Sequence, residues 1–271
     1  MVRSLWTAAT GMIAQQTNVD TIANNLANVN TQGYKTQVNE FKSLLYQNIQ
    51  TETTSANGEN KPVGAQVGLG VRNASISSIF TQGNLVASES STAFAIDGKG
   101  FFAVRGEDGN TYYTRNGNLQ FTLAANGNML ATTDGLPVLS TAGNPIILGN
   151  NYIVSDITVG EDGSLYYPDA NENLQPIGIT IGVFQFNNPN GLEKMGESLY
   201  AVTAASGQAI NEATSNIVER STVIQGYLES SNVQVVDEMV NMIVAQRAYE
   251  LNSKAITASD EMLQQANNLR R

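Results

Sequence analysis

Large apolar residues recur at every seventh position near both ends of the chain. Leu5, Met12, Val19 and Leu26 form one line, with Ile22 and Val29 a helical turn off it, and Val235, Met242, Tyr249, Ile256 and Leu263 form the other. A seven-residue repeat keeps one face of an α-helix turned toward a helical partner. The spacing predicts two long terminal helices that meet each other or copies from neighbouring chains. The first reads from Met1 to about Asn30 and stops near Gly33, a residue able to take a left-handed C-terminal conformation. The second starts after Ser230-Ser231-Asn232, with Asp237 and Glu238 in its early turns and Arg270-Arg271 at its end, a charge order that suits the helix dipole.

Both helices have surfaces that one partner does not use up. Val244, Ala248, Leu251, Ala255, Ala258, Met262 and Leu269 widen the apolar face of the second to nearly half its circumference. The first carries only Arg3 and Asp20 as charges before Tyr34, whereas a free coiled coil normally places charges beside its seam. These helices are therefore expected to be completed by neighbouring chains and to be poorly ordered in the isolated monomer.

The helical period gives way to a different pattern between the ends. Residues 50–70 form a polar stretch around Thr51–Gly58, followed by Gly64, Gly68 and Gly70, which predicts a long loop or extended arm. From about Val71 the apolar residues alternate in short runs, as in Leu119–Leu123 and Ile177–Val183. Asn-Gly or Asp-Gly pairs at Asp108, Asn116, Asn126, Asp134, Asp162 and Asn190 punctuate these runs, and such pairs favour tight hairpin turns because both central positions tolerate positive φ. The middle of the chain reads as an antiparallel β module. The expected class is α+β: N- and C-terminal helices that pair in coiled-coil-like fashion around an antiparallel β module.

Composition narrows the chemistry. A net charge of −10 repels phosphate backbones, and no basic cluster precedes the final Arg270-Arg271 pair, so nucleic acid is not an expected partner. Cysteine and histidine are both absent, which removes disulfides, thiolate nucleophiles, imidazole bases and the usual transition-metal ligands. No run approaches the ~20 apolar residues of a membrane-spanning helix, so membrane insertion is not expected. The stretch after Arg3 is broken by Thr7, Thr10 and Gly11 and reads as mature structure, not as a cleaved signal peptide.

Candidate chemical motifs give way to turns. Gly98-Lys99-Gly100-Phe101-Phe102-Ala103 matches a loose dinucleotide fingerprint, but that motif needs a helix directly afterwards, and Phe101–Val104 continues as strand. A Walker loop fails because Ala93 stands where its first glycine belongs. Asp108-Gly109-Asn110 and Asp162-Gly163-Ser164 resemble fragments of calcium loops without the distant glutamate. The acidic pairs Asp237-Glu238 and Asp260-Glu261 read as helix surface. No Ser-x-x-Lys occurs, and without histidine no serine triad remains. No catalytic, cofactor-binding or metal site is expected.

Several segments together resemble the bacterial flagellar rod and hook axial proteins. They are Ala23–Lys35, containing Asn24, Asn25, Asn28, Gly33 and Tyr34; Ala95–Phe102, with Gly98, Gly100, Phe101 and Phe102; Tyr113–Gly117; Gly226–Val233, with Asn232; and Gln246–Lys254, with Arg247 and Tyr249. They run in the family's order and frame nearly the whole chain. Length and the segment Gln66–Val71 resemble the distal-rod branch, with the proximal-rod branch as the alternative; the hook branch carries a further outer domain. The resemblance implies a structural subunit polymerising into a helical tube, with the heptad positions as the assembly interface: 1–33 and 235–271 form a terminal helical core domain, 34–75 and 213–234 a connecting domain with an extended arm at about 46–70, and 76–212 a β-rich outer domain. It implies export by the flagellar type III apparatus without a cleaved signal peptide, and a place in the basal body across the periplasm. The implied partners are copies of the chain, proximal rod proteins, the hook protein or rod–hook junction, and surrounding bushing rings. A secreted β-rich binding module with helical oligomerisation ends, or a carboxylate-using hydrolase, are the readings it competes with.

Overall fold

The structure is a computed structural model that describes residues 2–50, 64–124, 127–149, 151–169, 173–215 and 218–268. The tip of the predicted arm at 51–63, Asn126, and the terminal Leu269, Arg270 and Arg271 lie outside the described residues. The chain divides into two compact units, one of Met1–Ala27, Gln37–Ser78 and Gln234–Arg271, the other of Asn28–Thr36 and Ile79–Val233.

Unit one holds two long helices, α1 (Val2–Ala27) and α2 (Val235–Asn268). They run antiparallel in a fixed register. Ser4 Oγ lies 3.2 Å from Ser259 Oγ, Gly11 faces the Asn252 amide, and Asn25 Nδ2 donates to Glu238 Oε2 at 3.3 Å. Each step of seven or fourteen residues up α1 is matched by an equal step down α2. The buried residues of α2 are Glu238, Ala245 and Ser259, and those of α1 include Ala8, Ala14, Thr21, Ile22 and Asn25. Small side chains let the two backbones approach closely; at Gly11 a β-carbon would stand 2.9 Å from Asn252 Nδ2. Four threonines on α1 use their hydroxyls locally: Thr7, Thr10, Thr17 and Thr21 donate to carbonyls three or four residues back, so they ask no partner of α2.

A two-stranded ribbon completes unit one. β1 (Gln37–Ser43) pairs antiparallel with β4 (Val71–Ser78), and β2 (Tyr46–Gln50) with β3 (Ala65–Gly68). Leu44 N–H donates to Gly70 O at 2.9 Å and Leu69 N–H to Leu45 O at 3.1 Å, so the two pairings are continuous. Asn25 binds the start of β1 through both ends of its amide, donating to Gln37 O at 2.8 Å and accepting from Gln37 N–H at 2.9 Å. The base of the predicted arm is thus a β ribbon tied to α1.

Unit two is antiparallel β throughout its named sheets. Its largest sheet has six strands in the order Glu193–Gly196, Leu199–Ala201, Thr111–Thr114, Phe101–Arg105, Val183–Gln185 and Ile210–Asn211. Strand Phe101–Arg105 is buried on both faces, and its alternation feeds two cores. Phe102 and Val104 join Ile96, Leu119, Leu130, Ile146, Leu165 and Ile181, while Phe101 and Ala103 join Tyr113, Phe186 and Tyr200, as the two-residue period requires. Two shorter pairings, Phe94–Asp97 with Thr222–Gln225 and Leu85–Ala87 with Tyr227–Glu229, bring the end of the β module back to its beginning. A turn, not a helix, follows Phe94–Asp97, so Gly98-Lys99-Gly100 has none of the helix N-terminus that dinucleotide binding requires.

Candidate functional site

Two arrangements of side chains carry the sequence-derived residues. The first is the outward surface of the helix pair in unit one. On α1, Ile22 is buried while Leu5, Met12, Val19 and Leu26 are half-buried; on α2, Met242, Ile256 and Leu263 are half-buried, and Val235 and Tyr249 are exposed. The stripe of α2 that meets α1, namely Glu238, Ala245, Asn252 and Ser259, runs beside the heptad line and not along it. The heptad residues are thus mostly half-buried, and further large apolar residues beside them remain exposed. Val236 is 73% exposed, Val244 63% and Leu251 66% on α2, and Trp6 68% and Ile13 64% on α1. Monomeric soluble proteins rarely show so many contiguous large apolar groups unless a partner covers them. Arg247, also on α2, pairs with Glu250 at 2.8 Å on an exposed surface, where such a pair contributes little to stability.

The second arrangement lies in unit two, where motifs far apart in sequence converge. Gly33, with φ of +68°, donates its N–H to Glu229 O at 2.8 Å. Lys35 Nζ donates to Glu229 Oε1 at 2.6 Å and to Thr81 O at 2.8 Å. Arg115 Nη1 reaches Glu229 Oε2 at 3.1 Å, its guanidinium sits 5.2 Å from the centre of the Phe101 ring, and Nη2 donates to Gly98 O. Gly83 N–H adds a third donor to Glu229 at 2.9 Å. All three charged side chains are at most 2% exposed. Burial pushes the Lys35 amine below its usual value against the pull of Glu229, and desolvation likewise lowers Arg115. The phenol of neighbouring Tyr200 is pushed up to about 12, chiefly by burial. Two cations share one carboxylate, and the carbonyls of Thr81, Ile96 and Gly98 accept further N–H donors from them, while the buried Arg115 Nε has no hydrogen-bond partner among the described residues. The three side chains are almost wholly buried and engaged with one another, an arrangement that ties the three segments together.

Beside the triad, Asn232 gathers backbone. Its Oδ1 accepts from Thr36 N–H at 2.7 Å and Thr36 Oγ1 at 2.8 Å, and its Nδ2 donates to Ile79 O at 2.9 Å and Thr81 O at 3.1 Å. The other motif residues have identifiable work. Asn28 accepts from the Thr31 hydroxyl at 3.1 Å and the Thr31 N–H at 3.2 Å, closing the turn after α1. Tyr34 O accepts from Asn232 N–H at 3.4 Å. Gly98 and Gly226 have φ of +136° and +77°, and Gly100 N–H donates to Ser221 Oγ at 3.1 Å. Asn24 is exposed on α1, and Val29 lies past the helix in unit two. Lys35, Arg115 and Glu229 stand inside the motif segments without having been singled out. The signal available was a lone charge in each of three otherwise uncharged motifs.

Gly33 shows how tightly this junction is built. A β-carbon there would lie 2.7 Å from the Arg115 carbonyl carbon and 2.8 Å from its oxygen. Gly33→Ala is therefore expected to cost about 1–3 kcal/mol from backbone strain alone, read as a lower midpoint in urea unfolding of the full chain. An unchanged midpoint would show that the turn relaxes freely.

Comparisons with known proteins agree on one family. Residues 5–35 match the model of the flagella basal body rod protein, 95–167 that of the flagellar hook protein FlgE/F/G D1 domain, and 224–269 that of the flagellar basal body rod FlgEFG protein C-terminal. The chain is 44% identical to the flagellar basal-body rod protein FlgG of Borreliella burgdorferi over 274 residues, covering 100% of both chains. It is 43% identical to FlgG of Buchnera aphidicola subsp. Schizaphis graminum and 40% to FlgG of Caulobacter vibrioides, each covering 99% of this chain and 100% of the relative. The heptad-bearing ends, the Gly33–Lys35 and Glu229–Asn232 junction and the β module between them thus belong together, and the chain is a member of the flagellar basal-body rod protein family, a structural and non-enzymatic family, and is FlgG-like within it.

Proposed function

We propose that the chain is the structural subunit of the distal rod, polymerising into a helical tube that transmits torque from motor to hook and serves as export channel. The observation that carries this reading is the apolar surface left uncovered on α1 and α2 after they have paired. Copies of the chain are the natural cover. Met1–Ala27, Gln37–Ser78 and Gln234–Arg271 together contain 8 basic and 9 acidic residues, so helices from many copies meet without net repulsion, whereas the remainder holds 6 basic and 15 acidic. In this reading the terminal helices pack in coiled-coil-like fashion along the inner wall. The segments 34–75 and 213–234 form a connecting layer, the ribbon over 46–70 bridges subunits, and 76–212 lies outside. Proximal rod proteins, the hook protein or rod–hook junction, bushing rings and the type III export apparatus are its partners, and the tube crosses the periplasm. A proximal-rod position is the alternative; FlgG-named relatives favour the distal one.

The uncovered face gives a direct test. Val240 and Val244 are one turn apart on α2, and both are exposed. Changing both to Glu leaves the α1-facing stripe untouched but places charges where neighbouring copies pack, at several kcal/mol per unpaired buried charge. Since about 1.4 kcal/mol is tenfold in an equilibrium constant, rods should disappear from electron micrographs of purified basal bodies while the exported monomer shows the same circular dichroism as the unaltered monomer. Normal rods from this variant would refute the assembly face.

A further inference from the structure

The chain passes between its two units four times, at Ala27–Asn28, Thr36–Gln37, Ser78–Ile79 and Val233–Gln234. Three of these crossings end, on the unit-two side, in a single hydrogen-bond set. Thr36 O accepts from Ile79 N–H at 2.8 Å. Thr36 N–H and Oγ1 both donate to Asn232 Oδ1. Asn232 Nδ2 donates to Ile79 O and to Thr81, whose hydroxyl lies 2.9 Å away. One side-chain amide thus has its acceptor and its donors engaged by the backbone of the other two crossings, while its own backbone leads into the third.

We propose that Asn232 is the positioning residue that binds these crossings into one bundle, so that unit two answers to force on any of them as a single body. Three separate tethers stretch and reorient independently, and each is free to turn about its own φ and ψ. Cross-bonded tethers must move together. Neighbouring features supply an anchorage: Glu229, three residues earlier, is held by Lys35, one residue before Thr36, and by Gly83 and Arg115. The role assigned to Asn232 is to hold the strands to each other, as distinct from holding the core of unit two together. Its mechanical meaning rests on the proposed role of the chain as a rotating shaft.

Two variants and two readouts test this. In Asn232→Ala, amide exchange in the full chain should be about tenfold faster at 33–37 and 79–83 and unchanged in Phe101–Arg105 and Gly127–Thr132, because local opening has been separated from global unfolding. In Asn232→Asp the acceptor for Thr36 survives and the donors to Ile79 and Thr81 are lost, so only 79–83 should speed up. Equal acceleration of every segment in both variants, or none in either, would overturn the assignment. In cells lacking the native chain, Asn232→Ala should build rods and hooks in wild-type number yet lose rotation as medium viscosity is raised, with Asn232→Asp intermediate. Wild-type rotation at all loads, or absence of rods in both variants, would also overturn it. The unaltered chain restoring no rods in the same cells would instead refute the proposed function, which keeps the two failures distinct.

Discussion

Glu229→Ala is expected to lower the stability of unit two by about 3–5 kcal/mol, the range seen when one partner of a buried ion pair is removed. The loss arises less from the missing attraction than from what stays behind. Lys35 and Arg115 would remain almost wholly buried with no carboxylate bonded to them, only carbonyl oxygens and, for Arg115, the Phe101 ring, and the Gly83 N–H would lose its acceptor. The expected readout is a lower denaturant midpoint in near-ultraviolet circular dichroism, to which the eight tyrosines of unit two contribute most. The single tryptophan, Trp6, lies on α1 and reports separately on unit one. A triple replacement, Lys35→Met with Arg115→Met and Glu229→Leu, removes all three charges and should recover most of the loss, since apolar groups of similar volume often match a buried ionic set. A Glu229→Ala midpoint equal to wild type would mean that water reaches the two cations.

How far the sequence discloses this structure depends on the kind of signal. The helices were legible because Leu5 through Leu26 and Val235 through Leu263 repeat at a helical period, while Val29, expected on the first helix, lies past its end at Ala27. The β character of the middle was legible in the alternation of Leu119–Leu123 and in Asp-Gly pairs; those at Asp108, Asp134 and Asp162 sit between antiparallel neighbours. Asn116 and Asn190 do not make hairpins: the first links strands of different sheets, and the second lies in a short 3-10 turn. The dipeptide specifies the backbone of a turn and says nothing of which strands flank it. The α1-facing stripe of α2 was hidden for a different reason. Glu238, Ala245, Asn252 and Ser259 have little hydropathy, and what qualifies them is their size and hydrogen bonding. The ionic triad was hidden by distance along the chain, since Lys35, Arg115 and Glu229 have no mutual spacing that a periodic pattern reports.

Removing residues 2–27 is expected to abolish rod assembly altogether while leaving unit two folded. Unit two contains both hydrophobic clusters and all three members of the triad, so its tyrosine signal and denaturant midpoint should survive the deletion. Unit one cannot compensate. Without α1 the stripe of α2 bearing Glu238, Ala245 and Ser259 has no cover, and Asn25 no longer holds the start of β1. Outside that stripe α2 still offers the exposed Val236, Val244 and Leu251, but the uncovered stripe now adds a carboxylate to the exposed surface. Isolated helices gain most of their stability from tertiary packing, so the helical dichroism of the truncated chain should fall by more than the share contributed by α1. Counting rods in basal bodies from cells that make only this truncated chain gives the decisive measurement, with zero expected. Assembled rods would show that neighbouring copies of α2 alone can build the wall. A truncated chain that fails to assemble yet retains tight binding of a separate ligand through its β module would favour the binding-module reading instead.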